Sequence, residues 1–289
     1  MKRKHLWKKA MALGCGAMLA AALFAGCGSA STAQGSVGST ESSASTSEDG
    51  SISAENESAD TGSYVVSEMT LDTSDMFTDR DLDASYNEAD AVTVTLSDSG
   101  ITASDDSVEI DGQTVTIKEE GVYVFSGSLS DGQIIVDADD AAKVQIVLNG
   151  VDITSKTSAA VYVKSADKVF LTAAEGTDNT LTNTDAYEAD GDEEINAVIY
   201  AKDDLTINGT GNLTINAANG DGINAKDDLK LVDVTLTVDA ADHAISANDS
   251  IRITEAELTI NAGDDAIHCD TEIIVVSGTI LIESCYEGL

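Results

Sequence analysis

Short apolar runs recur through the second half of the chain with a period close to 22 residues. Isoleucines mark the equivalent position in four copies, at separations of 24, 22 and 22 residues; they are Ile199, Ile223, Ile245 and Ile267. Each copy holds three runs, as at residues 222–225, 228–231 and 234–238. A fixed period of this length is the signature of a solenoid, in which each coil buries its apolar side against the next.

Side chains alternate within the runs in the pattern of β-strands. Isoleucine, leucine and valine take every second position, and threonine, lysine, arginine or asparagine lie between them. Earlier runs of the same kind are separated by aspartate, glycine and asparagine; they cover residues 92–96, 114–117, 121–125, 133–136, 144–148 and 168–171. No window places apolar residues at helical spacing over three turns. We therefore predict an all-β fold, a parallel β-helix with three strands per coil of about 22 residues.

A further copy begins at Tyr286 and reaches only Leu289, which falls 22 residues after Ile267. An open β-helix edge needs a cap. We therefore expect the domain to be truncated at its C-terminus, within a coil.

The N-terminal residues have the composition of a lipoprotein signal peptide. Five lysines and arginines precede an apolar stretch at residues 10–24, which is too short to span a membrane. Leu-Phe-Ala-Gly-Cys at residues 23–27 resembles the bacterial lipobox. We therefore predict lipidation of Cys27 and anchoring on the extracellular face of the cell membrane, with cleavage without lipid as the alternative. The predicted organisation is a signal peptide at 1–26, a disordered tether rich in serine, threonine, glycine and glutamate at 27–63, and the β-helix domain at 64–289.

The chain carries 52 acidic and 15 basic residues, a formal net charge of −37. This balance excludes nucleic acids and anionic lipid surfaces as partners, because both bind cationic patches. We expect a monomer that meets the membrane only through its lipid anchor. Cys269 and Cys285 lie at different points of their coils, so we expect two buried thiols without a disulfide.

Acidic residues recur at two points of each coil. The first set precedes the first strand of a copy and the second set precedes the second strand; they are Asp221, Asp242, Asp264 and Asp265, and Asp203, Asp204, Asp227, Asp228 and Asp249. Equivalent residues of adjacent coils lie about 4.8 Å apart, where two carboxylates repel by about 3.5 kcal/mol at an effective dielectric constant near 20. Repeated repulsion indicates bound cations, and the donor atoms favour calcium, which takes about six to eight oxygen ligands.

The alternative is that these aspartates form turns at the coil corners by bonding to their own backbone. Lys202 and Lys226 would then offset the charge of the second set. The acidic loop at residues 188–194 lacks EF-hand spacing and is interpreted as solvated. His243 and His268 alone make a weak transition-metal site, and no arrangement of serine, cysteine, histidine and acid indicates nucleophilic catalysis.

Ordered motifs extend over about 210 residues; they are Phe-Thr-Asp-Arg-Asp-Leu at 77–82, Gly-Val-Tyr-Val-Phe-Ser-Gly at 121–127, Asp-Gly-Gln-Ile-Ile-Val-Asp at 131–137, Val-Leu-Asn-Gly-Val-Asp-Ile at 147–153, Glu-Gly-Thr-Asp-Asn-Thr-Leu at 175–181 and the Lys-Asp-Asp-Leu repeats from 202. Together they resemble the carbohydrate-binding β-helix lipoproteins of Gram-positive bacteria. The resemblance implies a right-handed parallel β-helix related in shape to pectate lyases, with calcium ions on the helix and plant cell-wall polysaccharide, pectic or cellulosic, as ligand. His243 departs from the pattern, since it stands where other copies have Asp221 and Asp265.

These expectations combine into a cell-surface lipoprotein that binds pectic polysaccharide with calcium and without catalysis. The single tryptophan lies in the predicted signal peptide, so Tyr187, Tyr200 and Tyr286 are the candidate sugar platforms. A calcium-dependent polysaccharide lyase is the main alternative, but it needs a cationic base, and Arg252 is interpreted as an outward polar residue within a strand. A glycosidase pair cannot be singled out among so many carboxylates. A passive β-helix spacer or adhesin is the third alternative.

Overall fold

The computed structural model describes residues 72–289. The predicted signal peptide, the lipidation site Cys27 and the tether therefore lie outside the described residues. Within the described range the chain forms strands and turns, and no helix there is long and apolar enough to cross a membrane.

The described residues form 22 strands, which are two to 13 residues long. They are β1 (Val92–Leu96), β2 (Thr102–Ala103), β3 (Val108–Asp111), β4 (Thr114–Ile117), β5 (Gly121–Leu129), β6 (Gln133–Asp137), β7 (Lys143–Ser155), β8 (Val161–Ser165), β9 (Lys168–Ala173), β10 (Asp178–Asn183), β11 (Ala197–Ala201), β12 (Asp204–Asn208), β13 (Asn212–Ala217), β14 (Asp221–Ala225), β15 (Asp228–Val232), β16 (Thr235–Ala240), β17 (Ile245–Ala247), β18 (Ser250–Thr254), β19 (Ala256–Ala262), β20 (Ile267–Cys269), β21 (Glu272–Val275) and β22 (Gly278–Ser284).

The strands stack into a parallel β-solenoid of about seven turns with three faces. The first face is a sheet in the order β20-β17-β14-β11-β8-β6-β4-β3. The second face runs β21-β18-β15-β12-β9-β7, and the third runs β7-β10-β13-β16-β19-β22. The long strand β7 joins the last two faces, because its first half pairs with β9 and its second half with β10. The prediction of an all-β parallel β-helix with three strands per coil is confirmed.

The interior is a set of aliphatic stacks, one for each face. On the first face the four marker isoleucines pair in register, as the repeat predicted. Equivalent stacks on the other faces are Leu205, Leu229, Ile251 and Ile273, and Leu213, Leu236, Leu258 and Ile280. All but Ile273 and Ile280, which lie on the last coil, are buried. Each buried side chain contributes about 2 kcal/mol of transfer free energy, so these stacks set the register of the surface.

The first strands of the domain pair in a different way. β1 pairs antiparallel with β2, and β3 pairs antiparallel with β4. The parallel stack then starts where β5 joins β1 and where β6 joins β4. The edge of the first face is therefore a hairpin strand rather than another coil.

The expectation of two buried thiols is wrong. Cys269 pairs in register with Ala247, as the repeat predicted, and it is half-buried. Cys285 is exposed, because it follows β22 on the last coil of the described chain. Both thiols are free.

A segment before β1, which the apolar pattern left unassigned, lies across the outside of the second face. We refer to residues 78–85 as the N-terminal strap. Its Asp81 side chain is 0% exposed, forms ion pairs with Lys168 (2.7 Å) and Lys230 (2.8 Å), and accepts a hydrogen bond from Thr206 (2.7 Å). Thr206 and Lys230 are register partners on β12 and β15. The polar ladder that alternation sends outward is therefore buried under the strap at this point.

Asp81 makes the stability of the fold depend on pH in the acidic range. Burial alone raises the pKa of this carboxyl, but the two lysines and the hydrogen bonds from Thr78 and Thr206 outweigh burial and hold the pKa well below its usual range. A lowered folded-state pKa stabilises the fold above the unfolded-state pKa of about 3.9. This contribution is lost as the pH falls below that value.

We predict that Asp81→Ala lowers the free energy of unfolding by about 3–5 kcal/mol, because it leaves two buried ammonium groups without their counter-charge. Denaturant unfolding at neutral pH measures the loss. Asp79→Ala is the matched control, since Asp79 is an exposed carboxylate of the same strap, and it should change stability by less than about 0.5 kcal/mol. Equal losses in the two variants would contradict a specific role for Asp81.

Candidate functional site

The second set of aspartates lies where the first face turns into the second. Asp203 and Asp204 follow β11 and lead into β12, and Asp227 and Asp228 stand in the same relation to β14 and β15. Asp249 precedes β18 in the next coil. The second-face strands are in register, so the five carboxylates line one corner of the solenoid across three coils.

The carboxylate of Asp227 lies close to three other carboxylates. The charges of Asp204, Asp228 and Asp249 all act on it. Partial burial together with these like charges raises the pKa of Asp227 to about 6. We call Asp204, Asp227, Asp228 and Asp249 the acidic corner. No three of them bring ligand oxygens within 4.8 Å of one another, so they do not form a closed metal cage by themselves.

The lysines beside this corner turn toward the first face. Lys202 pairs with Glu193 at 3.1 Å, and the ammonium group of Lys226 lies 5.4 Å from the centre of the Tyr200 ring. Neither forms an ion pair with a carboxylate of the acidic corner. Lys202 does act on the charge of Asp203, so the alternative in which these lysines offset the second set stays open for that residue.

Two of the five aspartates tie adjacent coils together. Asp203 accepts a hydrogen bond from the backbone N–H of Ala166 on the preceding coil (3.0 Å). Asp228 accepts one from the Ser250 hydroxyl on the following coil (2.6 Å). These bonds run between coils and not to the aspartate's own backbone, so they differ from the turn-forming role that the sequence left open.

Asp221, from the first set, is buried and saturated with hydrogen bonds. Its side chain is 1% exposed and accepts from Asn196 (3.0 Å), Asn224 (3.1 Å), Ser246 (3.1 Å) and the backbone N–H of His243 (3.2 Å). A carboxylate has about four acceptor positions, and these donors fill them. Burial outweighs the donors and raises the pKa of Asp221. We therefore do not retain Asp221 as a candidate metal ligand.

The other aspartates of the first set lie beside the two histidines. His243, Asp265 and His268 offer ligand atoms within 4.8 Å of one another, and so do Asp242, His243 and Asp264. Each group contains imidazole nitrogen, whereas calcium takes oxygen ligands. The all-carboxylate acidic corner fits calcium better than this mixed set does.

The acidic loop covers part of the first face, so its interpretation as a solvated loop is only partly right. Glu193 accepts a hydrogen bond from the Tyr200 hydroxyl, and Asp190 pairs with Lys164 at 2.7 Å. Tyr200 is consequently 1% exposed. Burial, reinforced by Glu193, raises the pKa of Tyr200.

A sugar platform needs an exposed ring face, which removes Tyr200 from the candidate set. Tyr187 is half-buried and packs against an apolar cluster that includes Tyr162, Ile195 and Tyr200. Tyr286 is 80% exposed and is the one of the three whose ring is available to a ligand.

Comparison with known proteins identifies the family of the chain. The sequence profile described as "Carbohydrate-binding domain-containing protein" matches residues 111–288, which is more than half of the chain. The chain belongs to this carbohydrate-binding family. A carbohydrate-binding domain-containing protein of Acetivibrio thermocellus is 44% identical over 137 residues, which cover 47% of this chain and 48% of that relative. The chain thus matches about half of the length of this carbohydrate-binding relative.

A solved structure supports the same assignment. It is described as "Structure of the polysaccharide lyase-like protein from C. thermocellum, Gadolinium derivative". The superposition has a TM-score of 0.62 at 36% sequence identity, and it covers 66% of this chain and 82% of that one. The resemblance to carbohydrate-binding β-helix proteins, predicted from the motifs, is confirmed.

The sequence reasoning missed that this carbohydrate-binding protein brings His243, Asp265 and His268 together. The signal was present, because His243 replaces an aspartate of the repeat and His268 lies three residues after Asp265. Considered alone, His243 indicates only that one polar residue of the repeat has been replaced by another. Pairing adjacent coils in register places the two imidazoles side by side.

The raised pKa of Asp227 predicts a pH dependence in calcium-free solution. A carboxyl whose folded-state pKa of about 6 exceeds the unfolded value near 3.9 binds extra protons in the folded state between those values. Stability therefore falls as the pH rises from about 4 to about 6. Asp227→Asn removes this loss, so its melting temperature should exceed that of the wild type by a margin that grows over this interval.

Thermal unfolding in chelator at a series of pH values measures the margin. Asp152→Asn is the control, because Asp152 is an exposed carboxylate on the third face, and its difference from wild type should stay constant. A margin for Asp227→Asn that does not change between pH 4 and 7 would show that the corner carboxylates do not interact.

Proposed function

We propose that this carbohydrate-binding protein binds an acidic cell-wall polysaccharide of the polyuronate class through calcium ions held at the acidic corner, and that it does so without catalysis. The observation that carries the proposal is the crowding of four carboxylates on three successive coils, with Asp227 at their centre. Membership of the carbohydrate-binding family supports the ligand class. Lipidation at Cys27, predicted from the sequence, would present the corner to external polysaccharide.

Net charge explains why a cation is needed. The chain has a formal net charge of −37, and a polyuronate is itself a polyanion. Two like-charged surfaces repel at short range unless counter-ions lie between them. Calcium bound jointly by protein and ligand carboxylates converts this repulsion into attraction, so we expect binding to depend on the metal.

The open geometry of the corner suits a shared ion. Calcium takes about six to eight oxygen ligands, whereas no three of the corner carboxylates bring their oxygens within 4.8 Å of one another. The remaining positions are left for water and for the uronate carboxylates. The protein thus supplies a partial site that the polysaccharide completes.

The cations of the second face are already engaged, which favours binding over β-elimination. Arg252 lies 3.6 Å from Asp228 and 3.4 Å from Glu272. Lys168 and Lys230 are buried against Asp81. A lyase needs a base that is free to take a proton from the sugar ring, and these three side chains are held by carboxylates.

We predict that polygalacturonate-coated beads retain the purified protein in calcium and release it in chelator. The double variant Asp227→Asn/Asp249→Asn should bind at least about tenfold more weakly, because it loses the charge that holds the ion. Asp152→Asn/Asp239→Asn makes the same charge change with exposed residues of the third face and should bind as wild type does. Undiminished retention in chelator would overturn the proposal. An unsaturated uronate product detected by ultraviolet absorbance would identify a lyase instead.

A further inference from the structure

His243, Asp265 and His268 form a compact cluster on the first face, separate from the acidic corner. The two imidazole rings stack with their centres 4.8 Å apart and their planes 12° from parallel. Oδ2 of Asp265 lies 2.9 Å from Nδ1 of His268 and 3.6 Å from Nδ1 of His243. We call these three residues the histidine cluster. Their ligand atoms lie within 4.8 Å of one another across adjacent coils.

The tautomer of His243 is fixed by a hydrogen bond from the backbone. The backbone N–H of Asp265 points at Nδ1 of His243 at 3.2 Å. A backbone N–H can only donate, so this nitrogen presents its lone pair and the ring proton lies on Nε2. A metal ion at this nitrogen would take the place of the backbone N–H, and the Asp265 carboxylate lies 3.6 Å away to serve as a further ligand.

The second imidazole has a carboxylate behind it. Without metal, Nδ1 of His268 donates to Asp265, and Nε2 lies 3.6 Å from Oδ1 of Asp270. When a cation takes the Nδ1 lone pair, the ring proton moves to Nε2, and Oδ1 of Asp270 lies 3.6 Å from that nitrogen, close enough to attract the proton electrostatically. A metal-bound histidine commonly donates its other ring N–H to a carboxylate, which orients the ring and strengthens the ligand.

We propose that the histidine cluster binds one divalent transition-metal ion of the zinc class, at a site distinct from the calcium corner. Two imidazole nitrogens and one carboxylate oxygen are the donors that zinc prefers, whereas calcium takes oxygen alone. Tetrahedral zinc with ligands at about 2.0 Å places its donor atoms about 3.3 Å apart. The distances of 2.9 and 3.6 Å within the cluster bracket that value. The half-buried position of the cluster leaves a fourth ligand position to water.

The experiment is a zinc titration of protein purified without an affinity tag, in excess calcium so that hard-cation sites are filled. One equivalent of zinc should bind, and cobalt(II) in its place should give the strong visible absorption of four-coordinate nitrogen and oxygen ligation. His243→Gln and His268→Gln should each lower zinc affinity at least about tenfold, because each removes one imidazole ligand. Glutamine is chosen at both positions because, unlike aspartate, it leaves no carboxylate to replace the lost nitrogen.

Asp227→Asn/Asp249→Asn is the matched control, since it alters the acidic corner and leaves the histidine cluster intact; it should keep the zinc affinity of the wild type. The melting temperature of each metal-free variant verifies its fold. Zinc affinity that survives both histidine substitutions overturns the proposal, and so does a failure of the wild type to bind zinc in calcium. Equal losses in the corner variant would assign the zinc to the acidic corner. This test is independent of polysaccharide binding.

Discussion

The constraint on which the structure depends is the in-register stacking of coils. Each residue has its repeat equivalents one coil above and one coil below, at about 4.8 Å. For an inward position this repetition is favourable, because isoleucine on isoleucine removes apolar surface from water along the whole axis. For an outward position that carries charge the same repetition accumulates repulsion. The surface of the solenoid is therefore shaped by how each polar column is neutralised.

The charge of each polar column is neutralised in a different way. On the second face, Lys168 and Lys230 share the Asp81 carboxylate that the N-terminal strap lays across them. On the first face, Asp221 is satisfied by neutral donors, which are Asn224 on its own strand and Asn196 and Ser246 on the adjacent coils. The acidic corner has no comparable partner for Asp227 among the described residues, and its raised pKa reports that deficit. Protonation of Asp227 or a bound cation would relieve it, and the proposed function assigns this role to calcium.

The coils could be predicted from the sequence because their cause is local. The isoleucine spacing predicts which residues pair, and the structure has Ile223 against Ile199 and Ile245 as expected. The covering elements could not be predicted in this way, because alternation shows only that a side chain points outward and not what lies over it. Lys230 and Tyr200 both point outward and are both buried, the first by a segment 149 residues away and the second by the acidic loop. The prediction of Tyr200 as a sugar platform was wrong for this reason, since alternation does not show that the acidic loop covers its ring.

The candidate metal sites, too, could be predicted only in part from the sequence. Spacing alone indicated two columns of acids, but the partners of each carboxylate decide which column can take which ion. Asp221 is excluded by its four donors. Asp265 faces imidazole, which directs that cluster toward zinc-class ions. At the acidic corner Arg252 lies beside Asp228, but Asp227 is surrounded by like charges, so the proposed calcium ion is assigned to this corner.

The most direct test of this account is an anomalous difference map from crystals grown in saturating calcium. The account predicts a calcium peak at the acidic corner, coordinated by the carboxylates of Asp227 and Asp249. A corner without calcium, with Asp227 protonated against Asp249 instead, would contradict it.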